Sequence, residues 1–439
     1  MPRIGAGAVT AGRRAKPRLF LGRRDGRDSA FTGEGSLLTI GPPGTGKSRG
    51  VAIWNLLDYP GSMLVTDPKG QLAQWSARHR EEKFGHRIAI LDPFGITGED
   101  SVSVNPLEPL RRTVEQGRGY RTEAQRIATM LLPDAPGDKD PFWRGGARQM
   151  IAAGLLYLAA LRPAQCDLPG LYDFLWEGER AFAEKIVPEM GGSDALEGTL
   201  RRYADDLTTL IGDRAKHFGS FRDEARQALS IFGPKEPCGE ACRASEIDFT
   251  WLIEGRLTVY LVLPPQYVAS HGRWMGVVAA HAIHAIMGAQ GFGECVFLLD
   301  EFPNLGKLPG IVQAIAQLRE KGLRVWIFVQ DLAQLRSLYG EHEAQAIQRQ
   351  AEVLQALGCQ DPELADYIER RAGEKTIQTR SWDLPSRLDP ASMPQEKISE
   401  QGFPNLPAAA VMGLPEGRQV LVRRHYPVVV ADIVIWEGP

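Results

Sequence analysis

The octapeptide Gly41-Pro42-Pro43-Gly44-Thr45-Gly46-Lys47-Ser48 sets glycines, a lysine and a hydroxyl at the spacing G-x-x-x-x-G-K-[ST]. Those residue types suit a polyphosphate. Glycines let the backbone wrap the ligand, so that N–H groups and a helix N-terminus face anionic oxygens. Lys47 can reach the β- and γ-phosphates, and the Ser48 hydroxyl can ligate Mg²⁺. The cradle from Gly41 to Arg49 is therefore a candidate site for ATP. A second group completes the chemistry. The apolar run Cys295-Val296-Phe297-Leu298-Leu299 ends in Asp300-Glu301. A carboxylate at the end of a buried strand can anchor the metal, and its neighbour can activate water. Asp300 is the candidate Mg²⁺ ligand beside Ser48, and Glu301 the candidate general base. The pair favours hydrolysis.

These residues need strand ends to hold them. Ser36–Ile40 reads as a buried strand before the glycine-rich loop, and Ser48–Leu57 as the helix after it. Ser62–Thr66 and Arg87–Leu91 are short apolar strands, each closed by an Asp-Pro dipeptide that turns the chain. Asp67-Pro68-Lys69-Gly70 thereby falls on the edge of the sheet where α/β folds bind ligands. Strand signals vanish from about 107 to 240, where Thr122–Leu132, Trp143–Leu161, Leu168–Trp176, Ser193–Ile211 and Lys216–Phe232 have helical patterning. Strands return at Leu257–Leu263, Cys295–Leu299 and Arg324–Phe328, then at Gln419–Val422 and Val428–Trp436 around a Tyr426-Pro427 turn. Pro385–Gly402 is polar and reads as a mobile loop. The expected fold is α/β, a mainly parallel sheet flanked by helices with an all-α insertion. Its divisions are a basic arm (1–30), a nucleotide-binding part (31–106), the insertion (107–240) and a second nucleotide-binding part (241–439).

A chain of 439 residues can bury a large core, and its net charge of −3 gives no global basic field for nucleic acid. Local patches would have to serve. Arg3, Arg13, Arg14, Lys16, Arg18, Arg23, Arg24 and Arg27 concentrate positive charge at the start, offset by Asp25 and Asp28. This is a solvated arm, or one that touches phosphates or an anionic membrane. The five cysteines are scattered and read as free thiols. Cys238 and Cys242 lack a second half for a metal site, as do His281 and His284. The most apolar stretches, Met150–Leu161 and Met275–Met287, are shorter than the ~18 residues of a membrane span.

Taken together, the motifs resemble the type IV secretion coupling proteins of the TraG/TraD class. Besides the phosphate loop, the likeness rests on Asn55–Ser62 leading into Thr66-Asp67-Pro68-Lys69-Gly70, on Asn105-Pro106-Leu107, and on Asp140-Pro141-Phe142-Trp143. It continues through Leu299–Gly306, Gly322-Leu323-Arg324-Val325 and Val329–Leu335. The resemblance implies a RecA-like, hexamer-forming ATPase that delivers DNA–relaxase complexes to a secretion channel. It implies Gln330 as a polar sensor of the γ-phosphate and Arg319 as an arginine finger for the neighbouring subunit. The implied partners are DNA bound without sequence preference, a relaxase or secreted protein, and the channel components. The implied state is a homo-hexamer, or a monomer in isolation, cytoplasmic and peripheral at the inner face of the bacterial membrane. Departures are the lack of the family's amino-terminal transmembrane helices, and Gln71 where an acid is common. Ser48 supplies a hydroxyl where many members have glycine. Two other functions stay open: an FtsK-like double-stranded DNA translocase, and an ATP-regulated adaptor that recruits substrates.

Overall fold

The computed structural model describes residues 17–134, 141–383 and 395–438. Its centre is an eleven-stranded sheet in the order β2-β1-β13-β12-β9-β3-β8-β7-β4-β6-β5. In chain order the strands are β1 (Leu19–Arg24), β2 (Arg27–Phe31), β3 (Ser36–Ile40), β4 (Ser62–Asp67), β5 (Arg87–Leu91), β6 (Leu257–Val262), β7 (Cys295–Leu299), β8 (Leu323–Val329), β9 (Ala351–Leu357), β12 (Arg418–Arg423) and β13 (Val429–Asp432). A separate hairpin pairs β10 (Glu374–Asp383) with β11 (Gln395–Pro404). From β9 to β5 every neighbour is parallel. Then β12, β13, β1 and β2 extend the sheet antiparallel. The continuous apolar runs of β3, β4, β6, β7 and β8 follow from this, because a parallel strand covered on both faces has no solvent side to alternate with.

One face carries the helices that follow β3 and β4, packed over Val51, Leu56, Met63, Tyr260, Trp326 and Phe328. The other face and the helical residues between β5 and β6 share one continuous core, from Leu38, Leu64 and Leu91 through Ile151, Phe218 and Trp274. The helical insertion is therefore packed on the sheet rather than tethered to it. Both apolar stretches lie in helices of this core, Pro141–Leu161 and Pro265–Gly288. Among the described residues no helix is long and apolar enough to cross a membrane, and no group of side chains could hold a metal ion by His, Cys, Asp and Glu clustering. All five cysteines are free and buried.

Three expectations change. Arg18, Arg23, Arg24 and Arg27 do not belong to an arm. They flank or form the β1–β2 hairpin, whose Leu19, Leu21 and Phe31 are buried. Asp28 pairs with Arg18 and Arg23, Asp58 also with Arg18, and Asp25 with Arg24. Arg3, Arg13, Arg14 and Lys16 lie outside the described residues. Next, residues 395–402 of the expected loop are strand, locked to β10 in register from Glu374↔Pro404 to Asp383↔Gln395; residues 385–394 lie outside the description. Finally, β9 had no counterpart in the sequence pattern. Ala351-Glu352-Val353-Leu354-Gln355-Ala356-Leu357 is rich in helix formers, and burial between β3 and β12 overrides that preference. Its polar Gln355 is fully buried, but its side chain accepts from Thr39 Oγ1 (2.8 Å) and donates to Leu21 O and Gln419 Oε1.

Candidate nucleotide site

The site sits where β3, β8 and β7 end side by side. Gly41 N–H donates to Val329 O at 3.0 Å, which carries the β3–β8 ladder into the loop. Gly44 and Gly46 have φ of 82° and 92°, which only glycine adopts without strain. The chain then enters a π-helical turn, Lys47–Ala52, running into a helix over Ile53–Asp58. The first amides of a helix have no partner within it, and a helix that starts at a sheet edge can offer them to an anion. Lys47 is buried and its ammonium donates to the Gly41 and Pro42 carbonyls, as does Thr45 Oγ1 to Pro42 O. Burial pulls the Lys47 ammonium below the usual lysine value, while the Glu301 and Asp300 carboxylates oppose that shift.

Asp300 follows β7 and is 6 % exposed. Ser48 Oγ donates to its Oδ2 at 3.1 Å and Glu301 N–H to its Oδ1 at 3.0 Å. Thr66 Oγ1, from β4, donates to the Asp300 carbonyl at 2.7 Å. Burial, and then the charge on Glu301, push the Asp300 carboxyl up to about 6, against the pull of Lys47 and Ser48. The hydroxyl and carboxylate oxygens of Ser48 and Asp300 converge as a hard, all-oxygen donor pair. Mg²⁺ takes such donors together with phosphate oxygens and water. Glu301 has φ 48° and ψ 46°, a left-handed conformation rare outside glycine, and one that functional sites hold at a cost of about 1–3 kcal/mol.

Sheet order decides where Gln330 sits. Because β8 lies between β3 and β7, its last turn emerges between the phosphate loop and the acid pair. Gln330 Nε2 donates to Glu301 Oε2 at 3.1 Å, and its own N–H to Gln334 Oε1 at 3.3 Å. Thus Lys47, Ser48, Asp300, Glu301 and Gln330 come together, with Gly41, Pro42, Pro43, Gly44, Thr45 and Gly46 as the loop. Arg49 joins through its place in the helix only. Its guanidinium turns to the C-terminal segment, bonding Trp436 O at 2.9 Å, while Trp436 N–H returns to Arg49 O.

Arg319 is not in this group. It precedes β8, at the opposite edge of the sheet, about 23 Å away by the length of a seven-residue strand. It is half-exposed and loosely paired with Glu34 at 3.8 Å. Sequence reasoning gave no role to Thr66 or Asp67. Thr66 fixes the Asp300 backbone. Asp67 accepts from Ala73 N–H at 2.8 Å, and burial pushes its carboxyl up to about 6, with Asp300 adding to the rise. The Asp-Pro turn after β4 was the available signal for both.

A family model described as Type IV secretory system Conjugative DNA transfer matches residues 6–436. The chain is 25% identical over 423 residues to protein VirD4 of Agrobacterium fabrum, covering 89% of this chain and 57% of that protein. It is 24% identical over 386 residues to the conjugal transfer protein TraG of Escherichia coli, covering 82% and 59%. The chain thus spans a little over half the length of the curated relatives it matches. Among solved structures, the bacterial conjugative coupling protein TrwBΔN70 superposes with a TM-score of 0.69 at 18% identity, over 92% of this chain and 86% of that one. The plasmid coupling protein TrwB in complex with ADP and Mg²⁺ gives 0.66 at 18% identity, with the same coverage. The fold is that of a RecA-like P-loop NTPase.

Proposed function

This chain belongs to the type IV secretory system conjugative DNA transfer family, and we propose that it is an ATP-hydrolysing coupling protein for DNA transfer. One observation carries the reading: the contact chain Ser48–Asp300–Glu301–Gln330, closed at the ends of β3, β7 and β8. The glycine loop and Lys47 hold the β- and γ-phosphates. Ser48 and Asp300 would hold Mg²⁺, which supplies charge neutralisation between those phosphates. Glu301 takes a proton from water aimed at the γ-phosphate. Gln330 keeps Glu301 turned toward the site and senses whether the γ-phosphate is present.

Arg319 cannot reach its own chain's site from the far edge of the sheet. Its proposed role is to complete the site of a neighbouring subunit in a ring, where a guanidinium stabilises transition-state charge. The proposed partners are DNA, a relaxase or other secreted protein, and a secretion channel at the cytoplasmic face of the membrane. The test is phosphate release by purified protein with and without DNA and relaxase. Hydrolysis stimulated by DNA supports the reading. Nucleotide binding with no hydrolysis under any of these conditions would leave an ATP-regulated adaptor. Directional movement on naked duplex without relaxase would favour an FtsK-like translocase.

A further inference from the structure

The strand-end edge that carries the nucleotide site continues past the outer strands β6 and β5, where it holds an aromatic cluster of its own. Phe94 follows β5, and Tyr267 lies in the first turn of helix Pro265–Gly288 after β6. Their rings stack at 4.4 Å with planes 18° apart. His271, one helical turn on, sets its edge against both rings at 5.6 and 5.5 Å, and its Nδ1 lies 2.8 Å from Ser270 Oγ. Tyr267 remains 38% exposed. A stacked pair held in place at an open edge is a ready surface for another flat ring.

The same helix carries a positive charge further along, at Arg273. Two cavities, of about 430 and 410 Å³, are both lined by Ser270 and Arg273. Arg273 Nη2 is buried with no hydrogen-bond partner. Burial, and the positive charge of Arg144, push the guanidinium down to about 10. Arg144 also lines the second cavity; Glu224 answers it at 3.7 Å, but no carboxylate pairs with Arg273 among the described residues. A guanidinium nitrogen buried without an acceptor is costly, and an incoming anion removes that cost. Six positions of helix separate Tyr267 from Arg273, about 9 Å of rise and about a third of a turn around the axis, with Ser270 between them on both counts. One nucleotide with its flanking phosphate covers such a span.

We propose that this edge binds single-stranded nucleic acid, with an unstacked base on the Tyr267–Phe94 pair and its phosphate on Arg273 and Ser270. Paired bases inside a duplex present no free face to stack, so the site selects single strands. The inference rests on the DNA-transfer reading above and names where the strand touches this chain. It also places the strand next to the hydrolytic site. The first cavity is lined by Pro303–Leu308, the loop directly after Glu301. Gly272 and Gly276 press on that loop so closely that a Cβ on either would lie 2.0 Å from Asn304 O or Leu305 O.

The test is fluorescence anisotropy with a labelled oligothymidylate and a labelled duplex, each variant's fold checked by circular dichroism. Tyr267→Ala should weaken single-strand binding about tenfold and Tyr267→Phe should keep it, since stacking on an aromatic ring needs no hydroxyl. Duplex affinity should be unchanged in both. Arg273→Gln should weaken single-strand binding and flatten its log–log salt slope by about 0.7, one phosphate's share. Unchanged single-strand affinity in Tyr267→Ala, equal loss on duplex, or an unchanged slope in Arg273→Gln overturns the site. Wild-type protein that hydrolyses ATP but binds neither oligonucleotide sinks the DNA-transfer reading as well. Wild type that binds, with variants that bind equally, sinks only this inference.

Discussion

Glu301→Gln separates binding from chemistry at this site, and the structure sets both directions. The substitution keeps size and leaves the Lys47 contacts to Gly41 O and Pro42 O untouched, so nucleotide still binds. Turnover loses its base, a loss of about 10²–10⁴ in rate, or about 3–5 kcal/mol in barrier. A second signature follows from Asp300, whose carboxyl rises from 3.8 to about 6 through burial first and Glu301 second. That rise corresponds to about 3 kcal/mol between protonation states, of which burial holds the larger share. A folded-state pKa raised in this way favours the protonated form. Its stabilisation is complete below the unfolded value and is lost as pH rises through about 6. Mg²⁺ needs the ionised form, so wild-type Mg²⁺ affinity in nucleotide-free protein should break downward below about pH 6. In Glu301→Gln one of the two causes is gone, and the break should move to lower pH by less than the full rise. Phosphate release, fluorescent-nucleotide binding and Mg²⁺ titration by calorimetry from pH 5 to 8 read all three. Unchanged turnover removes Glu301 as the base. A break that stays in place refutes the electrostatic link between the two acids.

Lys47→Ala should abolish the thermal stabilisation that Mg²⁺–ATP gives the wild type; a variant stabilised equally would mean that the glycine loop does not hold the phosphates. Arg319→Ala should cut hydrolysis by about 10³–10⁵, and mixing it with Glu301→Gln subunits should restore part of it at junctions where both intact groups meet. Activity independent of protein concentration, with no rescue on mixing, would point to a self-contained monomer. Arg80→Leu should destabilise the fold by about 3–5 kcal/mol in urea titration. It removes a fully buried guanidinium that serves Leu56 O, Tyr59 O, Gly61 O, Thr258 Oγ1 and His86 Nδ1. A loss under about 1 kcal/mol would show that burying the charge costs as much as those bonds return.

The residue types alone marked the glycine-rich loop and the acid pair as candidates and found the strands before each, because a Gly-x-x-x-x-Gly-Lys-Ser turn and a long apolar run each have few structural solutions. β5 and β7 match their expected limits, Arg87–Leu91 and Cys295–Leu299. Sequence spacing cannot reveal which strand lies beside which. Only the order β3-β8-β7 puts Gln330 against Glu301, twenty-nine positions away, and Ser48 against Asp300, 252 positions away. The parallel run of β8 beside β7 leaves Arg319, which precedes β8, at the far edge, although it is nearer to Glu301 in the chain than Gln330 is. Local pattern also failed where burial outweighed it. β9 is written in helix formers, yet it fills the slot beside β3 because Gln355 finds Thr39, Leu21 and Gln419 there. The β1–β2 arginines read as a charged arm, since their spacing hides Leu19, Leu21 and Phe31, which bury beneath them. Sequence thus determined which groups could do chemistry; long-range strand pairing decided which of them meet, since those contacts depend on the packing of the whole sheet and not on neighbours in the chain.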